Sequence, residues 1–251
     1  KIGRLRTRKR MKKWIEKNIN GIIHDCKIIR YKPNQYYLLL SKNQKNISMK
    51  ASCKSVSLDP GIRTFQTFYS PDGVAGKLGK NIFKKHLYKY AKKIDILDTI
   101  KSKCKKRKTK MNISKRQFLL RTKIKNVVND YHWKIAHFLC TNFETIIIPD
   151  FKVKKMTLKR KRNITNNITR KMLTLSHYGF KKKLEHKCKI YKRRLIVTSE
   201  AYTSKTCGVC GNVDKNLGSK KILKCHKCNI EIDRDYNGAR NILLRVCSHI
   251  K

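Results

Sequence analysis

Four cysteines near the carboxyl end are spaced as ligands of one metal ion. Cys207 and Cys210 form one C-x2-C pair, Cys225 and Cys228 form a second, and fourteen residues separate the pairs. Each pair makes a tight turn that directs two thiolates at one centre, and four thiolates complete the closed tetrahedral shell of a structural Zn²⁺ site. A redox function is the alternative for either pair alone. His226, inside the second pair, is expected to be a bystander because four thiolates fill the shell.

Carboxylates are scarce in this chain, and five of them occupy positions suited to metal chemistry. The chain has 15 Asp and Glu residues against 64 Lys and Arg residues. Asp59, Asp150 and Glu200 lie at or near the ends of predicted strands, and Asp233 and Asp235 precede a predicted helix. Phosphodiester hydrolysis by two divalent ions needs about three carboxylates from separate strands. Hard oxygen ligands favour Mg²⁺ or Mn²⁺ at such a site.

Each of these acids also has a structural interpretation. It can pair with a neighbouring Lys or Arg, or it can cap a helix. Asp233 is the strongest case, because it stands where a helix begins and an N-cap carboxylate is favoured there. The spacing of the acids alone does not separate two-metal chemistry from these structural roles.

The charge balance indicates the class of partner. With 64 basic and 15 acidic residues, the net charge is +49 over 251 residues. Self-repulsion at this density is relieved by a polyanion, and duplex DNA carries one phosphate charge per about 1.7 Å of its axis. A nucleic acid is therefore the expected partner, and a conventional metabolic enzyme is excluded. The alternative is a solvated basic protein whose composition is biased toward Lys, Ile and Asn.

Two basic segments, 101–116 and 152–170, are the candidates for contacts with a nucleic-acid backbone. The residues singled out within them are Lys105, Lys106, Arg107, Lys108, Arg160, Lys161 and Arg162. For any single one of them, a solvated surface or a nuclear-import tract is an equally good interpretation. Tyr178 and Tyr202 are candidates for stacking on bases, although such aromatic residues more often belong to a core.

Hydropathy and cysteine usage indicate a soluble protein of a reducing compartment. The longest apolar run covers the five residues Tyr36 to Leu40, whereas a membrane span needs about 20. The ten cysteines favour metal binding over disulfides, because four form tight pairs and six stand alone at uneven intervals. The KRKR and KKRK tracts suit nuclear import or nucleic-acid contact, so the expected location is the nucleus, or a viral or host cytoplasm. The sequence does not indicate an oligomeric state.

Strand-like and helix-like segments alternate along the chain, which predicts a mixed α/β layer structure. Strands are predicted on both sides of Pro33-Asn34, up to Asp59, over 64–70, in TIIIPDF and in RRLIVTSEAY. Two helices are predicted between residues 81 and 143, where Gly and Pro are absent and apolar residues recur at helical spacing. A further helix is predicted from LTLSHYGF onward, and an amphipathic helix follows Asp235.

Several segments together resemble the transposon-encoded TnpB nucleases, and most closely their eukaryotic and giant-virus relatives, the Fanzor proteins. The segments are SLDPGIRTF, IIIPDF, EAYTSKTCGVCG, the second C-x2-C pair and DRDYNGARNI, in order from about residue 20 to about residue 245. The resemblance implies an RNase H-like (RuvC) α/β domain with a helical insertion and an inserted four-cysteine zinc ribbon. It also implies an RNA-guided DNA endonuclease that acts with a guide RNA on target DNA.

The catalytic residues follow from this resemblance motif by motif. It places the first catalytic aspartate at Asp59 and the last at Asp235. The second motif departs from the TnpB pattern, because Pro149-Asp150 stands where TnpB proteins have a glutamate. Fanzor-like proteins use a relocated glutamate further along the chain, and Glu200 matches that position. The resemblance therefore implies Asp59, Glu200 and Asp235 as ligands of Mg²⁺ or Mn²⁺, with Asp150 in reserve.

The resemblance also implies a domain organisation. Residues 1–50 correspond to a remnant of an N-terminal wedge-like β region with a basic arm, and residues 51–206 to the nuclease domain, with a helical hairpin at about 81–143. Residues 207–228 form the ribbon, and 229–251 hold the last motif and a helix. Complete members carry a larger N-terminal region and this chain begins without Met, so a truncated copy is expected. The alternative function is a zinc-ribbon nucleic-acid-binding protein without catalysis, an inactive transposon-derived copy.

Overall fold

The computed structural model describes residues 9–18, 25–32, 35–41, 46–158, 164–199, 203–214, 218 and 220–248. The chain divides after Asn46 into two compact units. The first unit contains helix α1 (Lys9–Asn18), which begins within the predicted basic arm KIGRLRTRKRMKKW and extends beyond it, and strands β1 (Lys27–Lys32) and β2 (Gln35–Leu39). These two strands pair antiparallel, which confirms the predicted hairpin.

A five-stranded mixed sheet organises the second unit. Its strands are β3 (Cys53–Pro60), β4 (Gln66–Tyr69), β5 (Ala75–Leu78), β6 (Phe143–Pro149) and β7 (Arg194–Thr198), in the order β5-β4-β3-β6-β7. Strand β3 is parallel to β6, and β6 is parallel to β7, while β4 runs antiparallel to both of its neighbours, β3 and β5. The carboxyl ends of β3, β6 and β7 therefore meet at one edge. The predicted mixed α/β architecture is confirmed.

The alternation of side chains along the strands assigns each residue to one of two faces of this sheet. On β3, Val56 and Leu58 are fully buried in the main apolar core, which also contains Leu139 and Leu184 of two covering helices. Helices α3 (Arg107–Asn142) and α6 (His177–Tyr191) supply those residues. Ser57, between the two apolar residues, belongs to the opposite face. Helix α7 (Arg234–Ser248) covers that face.

A smaller apolar cluster holds α7 against the sheet. Ile242, Leu243 and Val246 of the helix pack with Ile147 of β6 and Ile196 of β7. Because neighbouring residues of a strand point to opposite faces, the two isoleucines that flank Ile147 belong instead to the main core. The sheet is thus sandwiched between α7 on one face and α3 with α6 on the other.

The two helices predicted between residues 81 and 143 are present, but the segment that joins them is shorter than the basic segment 101–116. A π-helical turn (Phe83–Leu87) leads into α2 (Tyr88–Lys103), and α3 begins at Arg107. Most of the basic segment 101–116 is therefore helix, because Lys, Arg and Met are good helix formers and no Gly or Pro interrupts them. Gln117 is buried in α3, and its Nε2 donates to Asp98 Oδ1 of α2 at 2.6 Å.

Other elements differ from the sequence-based expectation for local reasons. The helix expected through LTLSHYGF breaks at Ser176, whose φ of 48° and ψ of 59° are left-handed, so that α5 (Asn166–Leu175) and α6 are separate. The basic loop 152–170 contains α4 (Val153–Thr157) and the start of α5, which Thr165 caps. Strand β5 was not predicted, because it is a short edge strand that contains a glycine. No helix in the described ranges is long and apolar enough to cross a membrane.

Two buried histidines flank one aromatic ring in the main core. The ring of Phe65 stacks on His132 and on His177, with centroids 5.1 and 4.9 Å apart. His132 Nε2 forms a hydrogen bond with the Leu175 carbonyl at 2.9 Å, whereas neither ring nitrogen of His177 has a partner among the described residues. Burial, together with the charge of Lys183, lowers the pKa of His132 to about 4. Burial, together with His132, lowers the pKa of His177 to about 3.

These histidines should make the fold sensitive to mild acid. An unfolded histidine has a pKa of about 6.5, so below that pH the unfolded chain binds more protons than the folded chain and acid favours unfolding. Each ring should cost about 2 kcal/mol of unfolding free energy at about pH 5.

His177→Phe should remove one such contribution without losing a hydrogen bond. Urea unfolding measured at about pH 5 and at about pH 7.5 should therefore show a smaller acid-induced loss of stability in this variant than in the wild type. His86→Phe, at an exposed site, is the control. Equal acid sensitivity of the two variants would contradict this assignment.

Candidate active site and metal centre

We call the C-x2-C pairs the first knuckle (Cys207 and Cys210) and the second knuckle (Cys225 and Cys228). Their four cysteines converge on one point. Their sulfur atoms all lie within 4.8 Å of one another, with Cys207 Sγ 3.7 Å from Cys228 Sγ and Cys210 Sγ 3.4 Å from Cys225 Sγ. Zn–S bonds of ~2.3 Å at tetrahedral angles put sulfurs roughly 3.8 Å apart. The donor set thus fits a closed zinc site. A hydrogen bond from the backbone N–H of Cys228 is the main cause that lowers the pKa of Cys225 to about 6.

The backbone of each knuckle is shaped by one residue with positive φ. Gly211 follows the first pair with φ 75°, and Asn229 follows the second with φ 54°. Glycine and asparagine are the residues that adopt this region at least cost. Strands β8 (Ile222–Lys224) and β9 (Glu231–Asp233) then pair antiparallel and lead directly into α7. The predicted four-cysteine cluster is confirmed as a geometric unit, and it stands immediately before the helix that carries Asp235.

Two buried asparagines of α7 fasten the first knuckle to the helix. Asn237 Oδ1 accepts from the Gly208 N–H at 2.9 Å, and Asn237 Nδ2 donates to the Thr206 carbonyl at 2.7 Å. Asn241 Nδ2 lies 2.7 Å from the carbonyl oxygens of both Thr203 and Thr206. Buried polar groups of this kind are costly to leave unpaired. The position of α7 therefore depends on the folded state of the ribbon.

The same helix is pressed against β3 at Asp59. A Cβ atom added to Gly238 would lie 2.7 Å from Asp59 Oδ2, which is closer than real contacts allow. Ser57 Oγ, on the same face of β3, donates to the Ala239 carbonyl at 2.7 Å. Glycine at position 238 thus lets the Asp59 carboxylate contact the first turns of α7. This close approach brings β3 and α7 to one site.

Asp59 and Asp235 line the same cleft, which has a volume of about 510 Å³. Both side chains are half-buried. The cleft lies at the carboxyl edge of the sheet, with polar residues on one side and an apolar wall from α4 and α5 that includes Met156 and Met172. The structure therefore brings together two of the three carboxylates that the sequence analysis selected. Among the described residues, no three carboxylates or histidines lie within metal-binding distance of one another.

Asp233 has the structural role that its position predicted. Its Oδ1 accepts from the backbone N–H of Asp235 at 3.0 Å and of Tyr236 at 3.3 Å, so it caps α7. Its Oδ2 accepts from Lys77 Nζ at 2.6 Å, and that ammonium lies 4.8 Å from the Tyr236 ring centroid. Partial burial opposes ionisation of Asp233, but the hydrogen bonds from Lys77 and Tyr236 lower its pKa below the usual value.

Asp150 lies apart from Asp59 and Asp235. It follows β6, and its carboxylate pairs with Lys152 at 3.3 Å and with Lys181 of α6 at 3.6 Å. The alternation along β6 explains this, because Ile148 faces the main core and the next residue of that parity is Asp150. The carboxylate is thereby directed toward α6, whereas Asp59 lies on the face that α7 covers. Asp150 does not line the cleft.

The remaining selected residues divide between described and undescribed parts of the chain. Lys105, Lys106, Arg107 and Lys108 are exposed at the junction of α2 and α3. Tyr178 is 66% exposed on α6, so it is not a core residue. Glu200, Tyr202, Arg160, Lys161 and Arg162 lie outside the described residues.

The sequence analysis did not find the residues that position the two aspartates. Gly238, Asn237 and Asn241 all lie in the segment DRDYNGARNI, where only the acids were assigned a role. The signal was present as small and amide side chains one turn apart on the predicted helix. Which groups they would contact depends on segments distant in the sequence.

Two family models match this chain. One, described as "Probable transposase", covers residues 39–160, and the other, described as "Cas12f1-like, TNB domain", covers residues 177–242. TnpB-like protein L79 of Acanthamoeba polyphaga mimivirus is 32% identical over 213 residues, which are 83% of this chain and 40% of the relative. The CRISPR-associated endodeoxyribonuclease Cas12f1 of Sulfoacidibacillus thermotolerans is 34% identical over 83 residues, 33% of this chain and 20% of the relative.

A solved structure shares the fold. The Cas12f1 chain in a complex with sgRNA and target DNA has a TM-score of 0.54 at 20% identity, and the match covers 86% of this chain and 54% of that one. The fold is therefore Cas12f-like, with a central mixed sheet and a four-cysteine cluster. The chain belongs to the TnpB family. It spans about half the length of the curated relatives it matches, between 40% and 50% of the viral proteins.

Loss of the zinc site should loosen α7 as well as the ribbon. Cys225→Ser removes one of four ligands, so the purified variant should lose most of the one zinc ion per chain that we expect in the wild type. Amide hydrogen exchange in α7 should then accelerate about tenfold or more, because the bonds of Asn237 and Asn241 depend on the knuckle. Cys247→Ser, an exposed cysteine of the same helix, is the matched control. Unchanged protection of α7 in a zinc-free variant would contradict the coupling.

Proposed function

We propose that this chain is the nuclease core of an RNA-guided, metal-dependent DNA endonuclease that hydrolyses phosphodiester bonds. The observation that carries the proposal is the convergence of Asp59 and Asp235 in one cleft. The chain has only 15 Asp and Glu residues against 64 Lys and Arg residues, so two acids that line one cleft are a distinct arrangement and not ordinary surface composition. The names of the relatives support the same reaction class, since one is an endodeoxyribonuclease.

The sheet supports an RNase H-like assignment for this core. Three strands, β3, β4 and β5, form an antiparallel meander, and two parallel strands, β6 and β7, extend the sheet on the other side of β3. The first catalytic aspartate of our proposal lies on the central strand. The last lies on the helix that covers one face. We propose that the helical pair α2 and α3 is an insertion into this core, and that residues 207–228 form the inserted ribbon.

The carboxylates are suited to hold Mg²⁺ or Mn²⁺. Asp59 and Asp235 offer hard oxygen donors in a half-buried cleft. When bound, two such ions activate a water molecule and stabilise the leaving oxygen of the phosphodiester. Gly238 keeps the Asp59 carboxylate close to the first turns of α7, and Asp233 holds the start of that helix through its two backbone hydrogen bonds. The protein thus fixes its donors before any ion binds.

Glu200 is our proposed third carboxylate, on the ground of the family resemblance and of its position shortly after β7 in the sequence. Pro149 of β6 pairs with Thr198 of β7, and Ile196 packs against the α7 side of the sheet. Along β7, the alternation directs Ile196 and Thr198 to the α7 side, and Glu200 follows Thr198 by two residues in the sequence. The side chain of Asp150 is directed to the other face by the same rule.

The guide RNA and the target DNA are proposed partners. The similar Cas12f1 structure is a complex that contains both an sgRNA and a target DNA. In this chain, the exposed cations of the α2–α3 junction, Lys105 to Lys108, offer contacts with a phosphate backbone, and exposed Tyr178 offers a ring for stacking. Because the chain spans about half of its relatives, a nucleic-acid-binding protein without catalysis is the competing function.

Removing either aspartate should separate cleavage from binding. Asp59→Asn and Asp235→Asn should each lower Mg²⁺-dependent cleavage of DNA by at least about 100-fold, because each removes an anionic metal ligand. Binding of DNA should change little. The assay uses the purified full chain with co-purifying RNA retained or removed, and Asp130→Asn, an exposed acid of α3, is the control. If the wild type binds but does not cut under either condition, the protein is the non-catalytic alternative.

Glu200 and Asp150 can be ranked in the same assay. Glu200→Gln should abolish metal-dependent cutting, again by about 100-fold or more, and should spare binding. Asp150→Asn should lower the rate by less than about tenfold, since its partners are lysines. A larger effect of Asp150→Asn than of Glu200→Gln would show that the third carboxylate comes from the second motif, at Asp150.

A further inference from the structure

A second cavity adjoins the cleft that holds Asp59 and Asp235. It has a volume of about 270 Å³ and is lined mainly by polar and charged side chains. These are Arg63, Thr64, Lys77, Lys80, Asn81, Lys221, Asp233 and Asp235. We name it the basic cavity. Arg63, Thr64 and Asp235 line the cleft as well, so the two spaces share a wall.

The register of three strands links the basic cavity to the cleft. Asp59 of β3 pairs with Thr67 of β4, and Thr67 pairs with Lys77 of β5. Residues paired in this way point to the same face of a sheet, and neighbouring strands lie ~4.8 Å apart, so that Lys77 is roughly 10 Å from Asp59 along this row. This row of paired residues leads from Asp59, at the proposed site of cleavage, to the cations of the basic cavity.

The charges in the basic cavity are unbalanced. Four cationic residues face two carboxylates, a surplus of two positive charges. Lys77 and Asp233 neutralise each other through their 2.6 Å bond, and Asp235 is a proposed metal ligand. Lys80 and Lys221 are exposed and form no ion pair within the described ranges. They are 141 residues apart in the sequence (221 − 80) and line one concave site, unlike the lysines of a solvated convex surface.

The ribbon supplies Lys221 to this site. The backbone N–H of Arg234, the first residue of α7, donates to the Lys221 carbonyl at 2.8 Å. Arg234 Nη1 also donates to the Gly218 carbonyl at 2.7 Å. The segment before β8 is therefore held against the start of α7. Lys80 is placed by the turn after β5, where the Asn81 N–H donates to the Arg63 carbonyl at 2.7 Å.

We propose that the basic cavity binds one phosphate of the substrate DNA strand. This phosphate is a neighbour of the one that is hydrolysed in the cleft lined by Asp59 and Asp235. This proposal rests on the function proposed above and assigns Lys80 and Lys221 as its phosphate ligands. Lysine is a suitable point charge for a phosphodiester oxygen. The cavity is smaller than the roughly 300–1,000 Å³ of pockets that enclose drug-sized ligands, which suits a phosphate with its sugar and water. Because Lys221 belongs to the ribbon segment, the zinc site would also support the binding of substrate.

A pair of double variants with equal net charge tests the proposal. Lys80→Gln with Lys221→Gln removes the two proposed ligands. Lys220→Gln with Lys227→Gln removes two exposed ribbon lysines that do not line the basic cavity. Binding of a fluorescent single-stranded DNA oligonucleotide by the full chain, without divalent ions, is measured by anisotropy between about 50 and 200 mM salt.

The Lys80 and Lys221 variant should bind DNA about tenfold more weakly than the matched variant. Its slope of log K against log salt should be smaller in magnitude by about 0.7, which is the value for one phosphate of a single strand. In the Mg²⁺ cleavage assay it should raise KM about tenfold and change kcat less than about twofold, as expected for a contact made equally in the ground and transition states. Equal affinities and equal slopes of the two double variants would overturn the proposal.

The outcome is distinguishable from failure of the nuclease function. If the wild type binds DNA but never cuts it, the nuclease proposal fails, and a selective loss of binding in the Lys80 and Lys221 variant still supports a phosphate site in the basic cavity. If the wild type cuts DNA and the two double variants behave alike, the nuclease proposal stands and the phosphate site is rejected. A wild type that binds no DNA rejects both.

Discussion

The candidate site depends on the attachment of one helix, α7, to two parts of the molecule at once. Gly238 lets the helix contact the Asp59 carboxylate on β3, and Asn237 and Asn241 bond to backbone groups of the first knuckle. Asp235, in the first turn, is placed by both attachments. Since buried amides and a close backbone approach tolerate little displacement, the four-cysteine ribbon and the central sheet are mechanically coupled through this helix.

The alternation of side chains along the parallel strands separates the face that carries Asp59 from the face that carries Asp150. Ser57 and Asp59 share the face of the sheet that α7 covers, whereas Asp150 is directed to the α6 side and pairs with Lys181. A shift of one residue in a strand exchanges the faces completely. A carboxylate at the end of β6 therefore needs a different parity to reach the cleft, which is consistent with a third ligand supplied by the segment after β7.

Charge is distributed unevenly around this site. Asp59 lines the cleft with the apolar wall, and Asp235 lines both that cleft and the basic cavity that contains Lys80 and Lys221. An anionic strand would be attracted by the cations and repelled locally by the carboxylates until metal ions neutralise them. Such an arrangement would make binding and metal loading interdependent.

Much of this architecture could be predicted from local sequence. The C-x2-C pairs, the hairpin around Pro33-Asn34, the strand up to Asp59 and the cap at Asp233 all follow from turn chemistry, periodicity and thiolate geometry, which act over a few residues. Strand β5 and the break at Ser176 could not, because a short edge strand and one left-handed residue have weak local signals.

The sequence by itself determined the class of protein, the four-cysteine unit and a short set of candidate acids, because these depend on residue types at fixed spacing. Only the tertiary structure decided which acids share a cleft, why Gly238 stands beside Asp59, and that Lys80 and Lys221 meet next to Asp235. These contacts join residues far apart in the chain. Their formation depends on strand register and helix packing, for which neighbouring residues carry no signal.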